Sequence, residues 1–446
     1  MSLLVNGLSG LSASQQMLNV ASNNIANINT PGFTRQEGVL VARSDGSAGF
    51  NPGNGVEVSG MRRIADEFST AALWRAGSQV GYHDKMETLL GQAEGIIGSK
   101  SLSISEGVDQ FFASLNGAAS NPNLTASRQQ IIASADSIAG RFNQLSTSLD
   151  LQDRQILDEA KGIVKGLNGI TENIGKLNLA IANADAKGAN TSSLQDQREN
   201  LINQLANEVD VRTYKLDDGR INVNLSNGQP LVLGSSTSTL SMTAGNLTLD
   251  MNGQTFSADD SGGRLGALMD YRNDSLVGMK SDLNLQAETF ANDMNNQLAA
   301  GFDLNGNPGA ALFTYSAPGE AGSLRVSDTI TPDELAFIGD DGFGAPAGGP
   351  GDNTNLISMI SLKDGFYDAF NSLVGGLGIK SAASQAEAGA SRSLLESAQF
   401  QRDSISSVNQ DEEAVKLMTY TQAYQANAKV ISTADQIFNT LLGAIR

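Results

Sequence analysis

Few residues in this chain have the type and spacing to do chemistry. His83 is the single histidine among 446 residues and cysteine is absent, which excludes thiol nucleophiles, disulfides and a zinc site of cysteines and histidines. Asp84 follows His83, but helix neighbours point in different directions, so His83 reads as a surface or interface residue. Asp303-Leu304-Asn305-Gly306-Asn307 has the opening of a calcium loop without its ligand spacing or closing glutamate, and reads as a turn. Gly348 to Asp352 misses the spacing of calcium-binding nonapeptides and occurs once. The carboxylate pairs Asp217-Asp218 and Asp340-Asp341 sit in turn-like sequence. No phosphate-cradling GxxxxGK or dinucleotide motif follows a strand. The expectation is a protein that is not an enzyme and carries no cofactor or metal.

The elements carry more information than these residues. From Asn409 to Arg446 a stripe runs Leu417, Tyr420, Tyr424, Asn427, Ile431, Ala434, Phe438, Leu441, Ile445, alternating steps of three and four. That spacing predicts a helix laying one narrow seam against another helix. Asn409 with Glu412 forms a capping-box-like start, and Asp411 to Glu413 suit the positive helix end. The N-terminus carries a matching stripe, Leu4, Leu8, Leu11, Gln15, Leu18, Ser22 and Ile25, ended by Thr30-Pro31-Gly32. Neither seam can be buried alone, so the two ends are expected to pair. Ordering them costs about 1–2 kcal/mol per residue in backbone entropy, which the seam side chains repay only in part. The pair is expected to be marginal in one copy and to become ordered beside others.

A formal net charge of −19 and a pI near 4.4 argue against a nucleic-acid partner. No run reaches the ~20 apolar residues of a membrane span. The first basic residue is Arg35, so a cleaved secretory signal is not expected either.

Along the chain, residues 36–60 read as a Gly/Asn-rich linker with extended pieces such as Gly38 to Val41 and a turn cluster at residues 51–55. Helices follow around 61–97 and 108–115. The longest signal is the unbroken heptad stripe from Ile131 through Ile163, Ile170 and Leu177 to Ile181, about 75 Å if it is one helix, with glycines that leave a break open. Residues 211–262 switch to strand alternation, with Asp218-Gly219 and Asn227-Gly228 as hairpin turns. Residues 301–355 are irregular and are expected to dock on that β insertion, and 356–408 are helical with a break at Gly375-Gly376. The predicted fold is mainly α with a β insertion: a long α-helical rod, paired N- and C-terminal coiled-coil helices and a small antiparallel β outer domain. Three discontinuous domains follow: 1–35 with 405–446, 36–210 with 263–300 and 356–404, and 211–262 with 301–355.

SNNIANINTPGFTRQ from Ser22 and VNQDEEAVKLMTYTQAYQANAKVISTADQIFNTL from Val408 resemble the terminal signatures of the flagellar axial proteins. Within them, Thr34-Arg35-Gln36 and Asp411-Glu412-Glu413-Ala414 are most similar to the hook-associated, hook–filament junction type (the FlgK type). LQDQRENLINQL from Leu194, NVNLSNGQPLVLG from Asn222 and GFDLNGNPGAALF from Gly301 are similar to interior segments of that family. The chain is shorter than many relatives, so an outermost domain is expected to be absent or reduced.

The resemblance implies a structural subunit that assembles on the distal end of the hook and connects it to the filament. Implied partners are further copies in a ring or short helical layer, hook protein and a second, filament-side junction protein. An export chaperone on the C-terminal helix and the type III export apparatus are implied as well, placing the protein in the extracellular flagellum. The residues expected to carry assembly are Leu4, Leu8, Leu11, Leu18 and Ile25 against Leu417, Tyr420, Tyr424, Ile431, Phe438, Leu441 and Ile445, with Phe33 and Arg35 at the turn. The rivals are a hook or distal-rod subunit and, from another class, a wall-degrading enzyme on an axial scaffold.

Overall fold

The computed structural model describes residues 2–43, 53–316 and 321–445. In chain order it has α1 (Ser2–Ala26), β1 (Gln36–Ala42), β2 (Val56–Arg63), α2 (Glu67–Ile97), α3 (Ile104–Ala118), α4 (Thr125–Asp185) and α5 (Ser192–Glu208). Seven short strands follow: β3 (Val211–Lys215), β4 (Ile221–Leu225), β5 (Pro230–Leu233), β6 (Ser236–Thr237), β7 (Thr239–Thr243), β8 (Asn246–Met251) and β9 (Gln254–Ser257). Then come α6 (Gly263–Asp270), a π-helical turn (Tyr271–Leu276), α7 (Val277–Ala299), β10 (Phe313–Thr314), β11 (Arg325–Val326), α8 (Thr354–Ser361), α9 (Lys363–Ser406) and α10 (Gln410–Ile445). The fold is mainly α with small antiparallel sheets.

The chain forms two compact units. The first comprises Met1–Tyr82, Ile163–Arg264 and Ala390–Arg446. Its strands make the antiparallel sheets β1-β2, β3-β4-β5-β6 and β7-β8-β9. Val223, Leu225, Leu231, Leu240, Leu247 and Leu249 are buried between strand faces and helix. Two asparagines of α4 set the register of sheet on helix. Asn178 Nδ2 donates to the carbonyls of Ile221 and Gly234 at 2.7 and 2.6 Å, and Asn168 exchanges both bonds with Leu240 at 2.8 Å. Gly219, at φ +78°, sits in the turn between β3 and β4.

The second unit comprises His83–Gly162 and Leu265–Gly389. Phe111, Phe112, Phe142, Phe290 and Phe313 form its aromatic centre, with Phe111 edge-to-face on Phe112 and Phe290. Arg128 is fully buried, stacks 4.3 Å above the Phe337 ring and donates to the carbonyls of Pro122, Pro332 and Leu335. Burial pulls its guanidinium down to about 10.

Four expectations are corrected. Residues 36–60 are not a linker: β1 and β2 pair as an antiparallel hairpin with a bulge between Val39 and Leu40; residues 51 and 52 of the expected turn cluster lie outside the described residues. Residues 301–355 belong to the second unit, not with 211–262, because Arg128, Asn353 and Asn355 tie their carbonyls and side chains to helices of that unit. Helix α9 runs through Gly375 and Gly376, and α4 is unbroken. The buried face of α4 also departs from the expected stripe at alternate positions: after Ala160 it runs Val164, Leu167, Thr171, Ile174, Asn178, Ile181, leaving Ile163, Ile170 and Leu177 half-buried. The seven-residue repeat is kept and only its second position shifts by one residue, so Val164, Thr171 and Asn178 take the covered place.

Candidate functional site

The two ends of the chain meet in the first unit. Helices α1 and α10 run antiparallel: Asn24 meets Glu413, Gly10 meets Asn427 and Gly7 meets Ile431. The approach is close because the facing residues are small. A Cβ on Gly10 would lie 2.5 Å from Asn427 Oδ1, and one on Gly7 2.8 Å from the Ile431 side chain. Ala13, Ser14, Met17, Ala21 and Asn24 continue the buried side of α1, part of which faces the hairpin: Ser9 Oγ accepts from Val56 N–H at 3.2 Å, and Met17 presses on Gly38.

The leucine stripe expected to make this contact lies beside it. Leu4, Leu11, Leu18 and Ile25 are half-buried and Leu8 is 57% exposed. On α10, Leu417, Tyr420, Tyr424, Asn427, Ile431 and Ala434 do form the covered face, but Phe438 and Leu441 are 57% and 58% exposed. The side chain of Ile445 lies outside the described residues. Small side chains let two backbones approach; leucines at those positions would hold the helices apart.

The turn after α1 builds a clamp. Gly32, at φ +78°, lets the chain reverse so that residues 33–36 return beside the helix. Asn24, fully buried, accepts from the Gln36 N–H at 3.0 Å and donates to the Gln36 carbonyl at 2.9 Å and to Glu413 at 3.1 Å. Glu413 is itself buried and receives Lys416 at 2.7 Å. Arg35 N–H donates to the Ser406 carbonyl at 2.9 Å, Ile64 N–H donates back to the Arg35 carbonyl, and the Arg35 guanidinium reaches Glu412 at 2.8 Å. Asn409 caps α10 by accepting from the N–H groups of Asp411 and Glu412, so Glu412 is left to bind Arg35 instead of closing a capping box.

Below this turn Arg63 is held by Asp196 at 2.7 Å and Glu199 at 2.6 Å, and donates to Thr34 Oγ1 at 2.9 Å, which Arg402 also approaches. Burial pulls the Arg63 guanidinium down, but Glu199 and Asp196 outweigh it and leave it above its ordinary value. Phe33 is half-buried and lines a polar cleft with Trp74, Asn200 and Leu395. Asn24, Thr34, Gln36, Arg63, Asp196, Glu199 and Glu413 are absent from the expected set. The available signal, for the N-terminal members alone, was the set of asparagines and threonines at 23, 24, 27, 29, 30 and 34 around the end of α1. Apolar periodicity does not register such residues.

The arrangement couples the first sixty residues to the last forty-five by hydrogen bonds and ion pairs. Residues weighed for chemistry are engaged otherwise. His83 stands 3.2 Å from Glu387, and the Asp303 carboxylate accepts the N–H groups of Asn305 and Asn307 at 2.8 and 2.7 Å.

Fold and clamp together define a helical structural protein whose ends are joined as one module. The helical domain of the flagellar hook-associated protein FlgK matches residues 90–313, half of the chain. The flagella basal body rod protein model matches residues 4–34, and the C-terminal model of the basal body rod FlgEFG proteins matches 401–444. Flagellar hook-associated protein 1 of Escherichia coli is 27% identical, covering 99% of both chains; that of Bacillus subtilis is 25% identical over 98% of this chain and 96% of the relative. The flagellar hook junction protein FlgK from Burkholderia pseudomallei superposes at TM-score 0.51 with 27% identity, over 55% of this chain and 47% of that one. The chain belongs to the FlgK family of flagellar hook-associated proteins, structural proteins of the hook–filament junction.

Proposed function

We propose that this chain is a non-enzymatic subunit that assembles on the distal end of the hook and connects it to the filament. Copies pack side by side in a ring or short helical layer, with hook protein on one side and a second, filament-side junction protein on the other. The subunit is exported by the flagellum's own type III apparatus, with a chaperone covering the C-terminal helix until assembly, and it functions outside the cell.

The observation that carries this reading is apolar surface left over on the terminal pair. Leu3, Leu8, Phe438, Leu441 and Leu442 are each more than half exposed. Apolar surface gathered at one end of a two-helix pair is what a polymerising subunit covers with its neighbours. Leu8→Asp and Phe438→Asp leave the clamp intact and should abolish polymerisation of purified protein while far-UV dichroism of the second unit is kept. Cells lacking the protein should make hooks and shed filament protein into the medium; filaments attached as in wild type would contradict the proposal. The matches of both ends to rod-protein models support a second reading, a hook or distal-rod subunit. Copies per flagellum separate the two, because a junction layer is thin and a hook is long. A peptidoglycan zymogram tests the wall-degrading alternative.

A further inference from the structure

A cleft of about 470 Å³ in the first unit opens beside β2, the start of α5 and the turn between β3 and β4. Four cations line it: Arg62, Arg63, Arg198 and Lys215. Three have carboxylate partners, Arg62 with Glu37 at 2.8 Å, Arg63 with Asp196 and Glu199, and Lys215 with Glu67 at 2.7 Å. Arg198 has none within ion-pair distance among the described residues. Its Nη1 donates to Asn178 Oδ1 at 2.9 Å and to the Gly219 carbonyl at 2.8 Å, while Nε is enclosed without a partner and Nη2 makes no hydrogen bond. The residue is 3% exposed. Burial brings its guanidinium down to about 10, with Glu199 acting against it, so it is charged at neutral pH.

A buried guanidinium without a counter-ion is unfavourable, and its unoccupied edge matches a carboxylate in shape and charge. We propose that this cleft is a binding site for a carboxylate, received on the Nη2 edge of Arg198 with Lys215 on the same cleft wall. Arg198 has no ion-pair partner of its own, but Glu67, Asp185 and Glu199 also line the cleft, so the site is not strongly cationic, which favours a singly charged carboxylate over a phosphate dianion. Thr191 and Thr213 supply hydroxyls on the wall, and Trp74 and Ile221 give it apolar surface. A wall of that mixture fits an aspartate or glutamate side chain, or a small free carboxylate.

Trp74 is the only tryptophan of the chain, is 6% exposed and lines the cleft, so its fluorescence reports on the site. Full-length protein is titrated with acetate against chloride at equal ionic strength, and separately with inorganic phosphate. The expected result is a saturable acetate-specific shift, lost in R198Q, kept in R198K and weakened in K215Q. Lys215 is 60% exposed, so K215Q reports even if R198Q fails to fold by circular dichroism. No saturable acetate effect in the wild type, an unchanged effect in both R198Q and K215Q, or tighter binding of phosphate overturns the proposal. Sedimentation at rising protein concentration then separates the sources. If acetate and R198Q both weaken self-association, the carboxylate comes from a second copy; if neither does, a free carboxylate is the ligand.

Discussion

Asn24 and Gln36 close a ring across twelve residues: the carboxamide of Asn24 accepts from the Gln36 N–H and donates to the Gln36 carbonyl, at 3.0 and 2.9 Å. A backbone reversal is thereby fixed by one side chain, whose remaining hydrogen bond goes to Glu413, 389 residues further on. Asn24→Ala strands a buried N–H, a carbonyl and part of a carboxylate. It should destabilise the terminal module by at least roughly 1–3 kcal/mol, the range for one buried polar group left unpaired. Urea denaturation followed by circular dichroism measures this. Asn24→Asp should be at least as severe, because it faces a second carboxylate and cannot donate to the Gln36 carbonyl.

Arg63 makes the corresponding point for charge. Its side chain is 7% exposed and its partners Asp196 and Glu199 are 13% and 19% exposed. Arg63→Met leaves two carboxylates largely buried and unpaired, which should cost about 3–5 kcal/mol. Glu199→Gln should cost less, since Asp196 still holds the guanidinium. A double-mutant cycle on denaturation midpoints should give a coupling well above that of the exposed pair Lys161–Asp158; equal couplings would mean that burial does not strengthen the Arg63 network.

Apolar periodicity carried the helices and their order, because burial of an apolar face is what periodicity records. The strands of residues 211–262 were legible from alternation and from the glycines of their turns. The clamp was not legible: Asn24, Thr34 and Glu413 are polar residues buried by hydrogen bonds to partners far away in sequence, and no local pattern marks such a pairing. The contact face of α1 was misjudged for a related reason. Leu8 and Leu18 draw attention as apolar, whereas Gly7 and Gly10 admit α10 by being small. The shift from Ile163 to Val164 on α4 shows the same limit, since the covered row there includes Thr171 and Asn178, polar residues that an apolar stripe passes over.

Acid should loosen the loop at Asp303. Burial works to raise its pKa, but hydrogen bonds from Asn307 and Asn305 outweigh that and hold the carboxyl below its ordinary range. A carboxylate depressed in the folded state contributes stability that is present above the unfolded value of about 3.9 and lost as pH falls through the folded value. Stability of the second unit should therefore drop on acidification below pH ~4, and Asp303→Asn should flatten that dependence. Thermal melts of both proteins between pH 2 and 6 test this; parallel pH profiles would exclude Asp303 as a contributor.

The antiparallel register of the two ends is open to a direct chemical test. The chain has no cysteine, so a bridge can form only where two are introduced. The Cβ position of Gly10 lies 2.7 Å from Asn427 Cγ, which places the two Cβ positions near the distance of about 3.5–4.5 Å that a disulfide spans. The double variant Gly10→Cys with Asn427→Cys should oxidise to an intramolecular bridge and migrate faster on a non-reducing gel. Leu8→Cys with Asn427→Cys should bridge poorly, because Leu8 is on the exposed side of α1. Dilution separates pairing within a copy from pairing between copies. A yield independent of protein concentration means that one copy closes its own ends before assembly; a yield that vanishes on dilution means that neighbours are needed to hold α1 against α10.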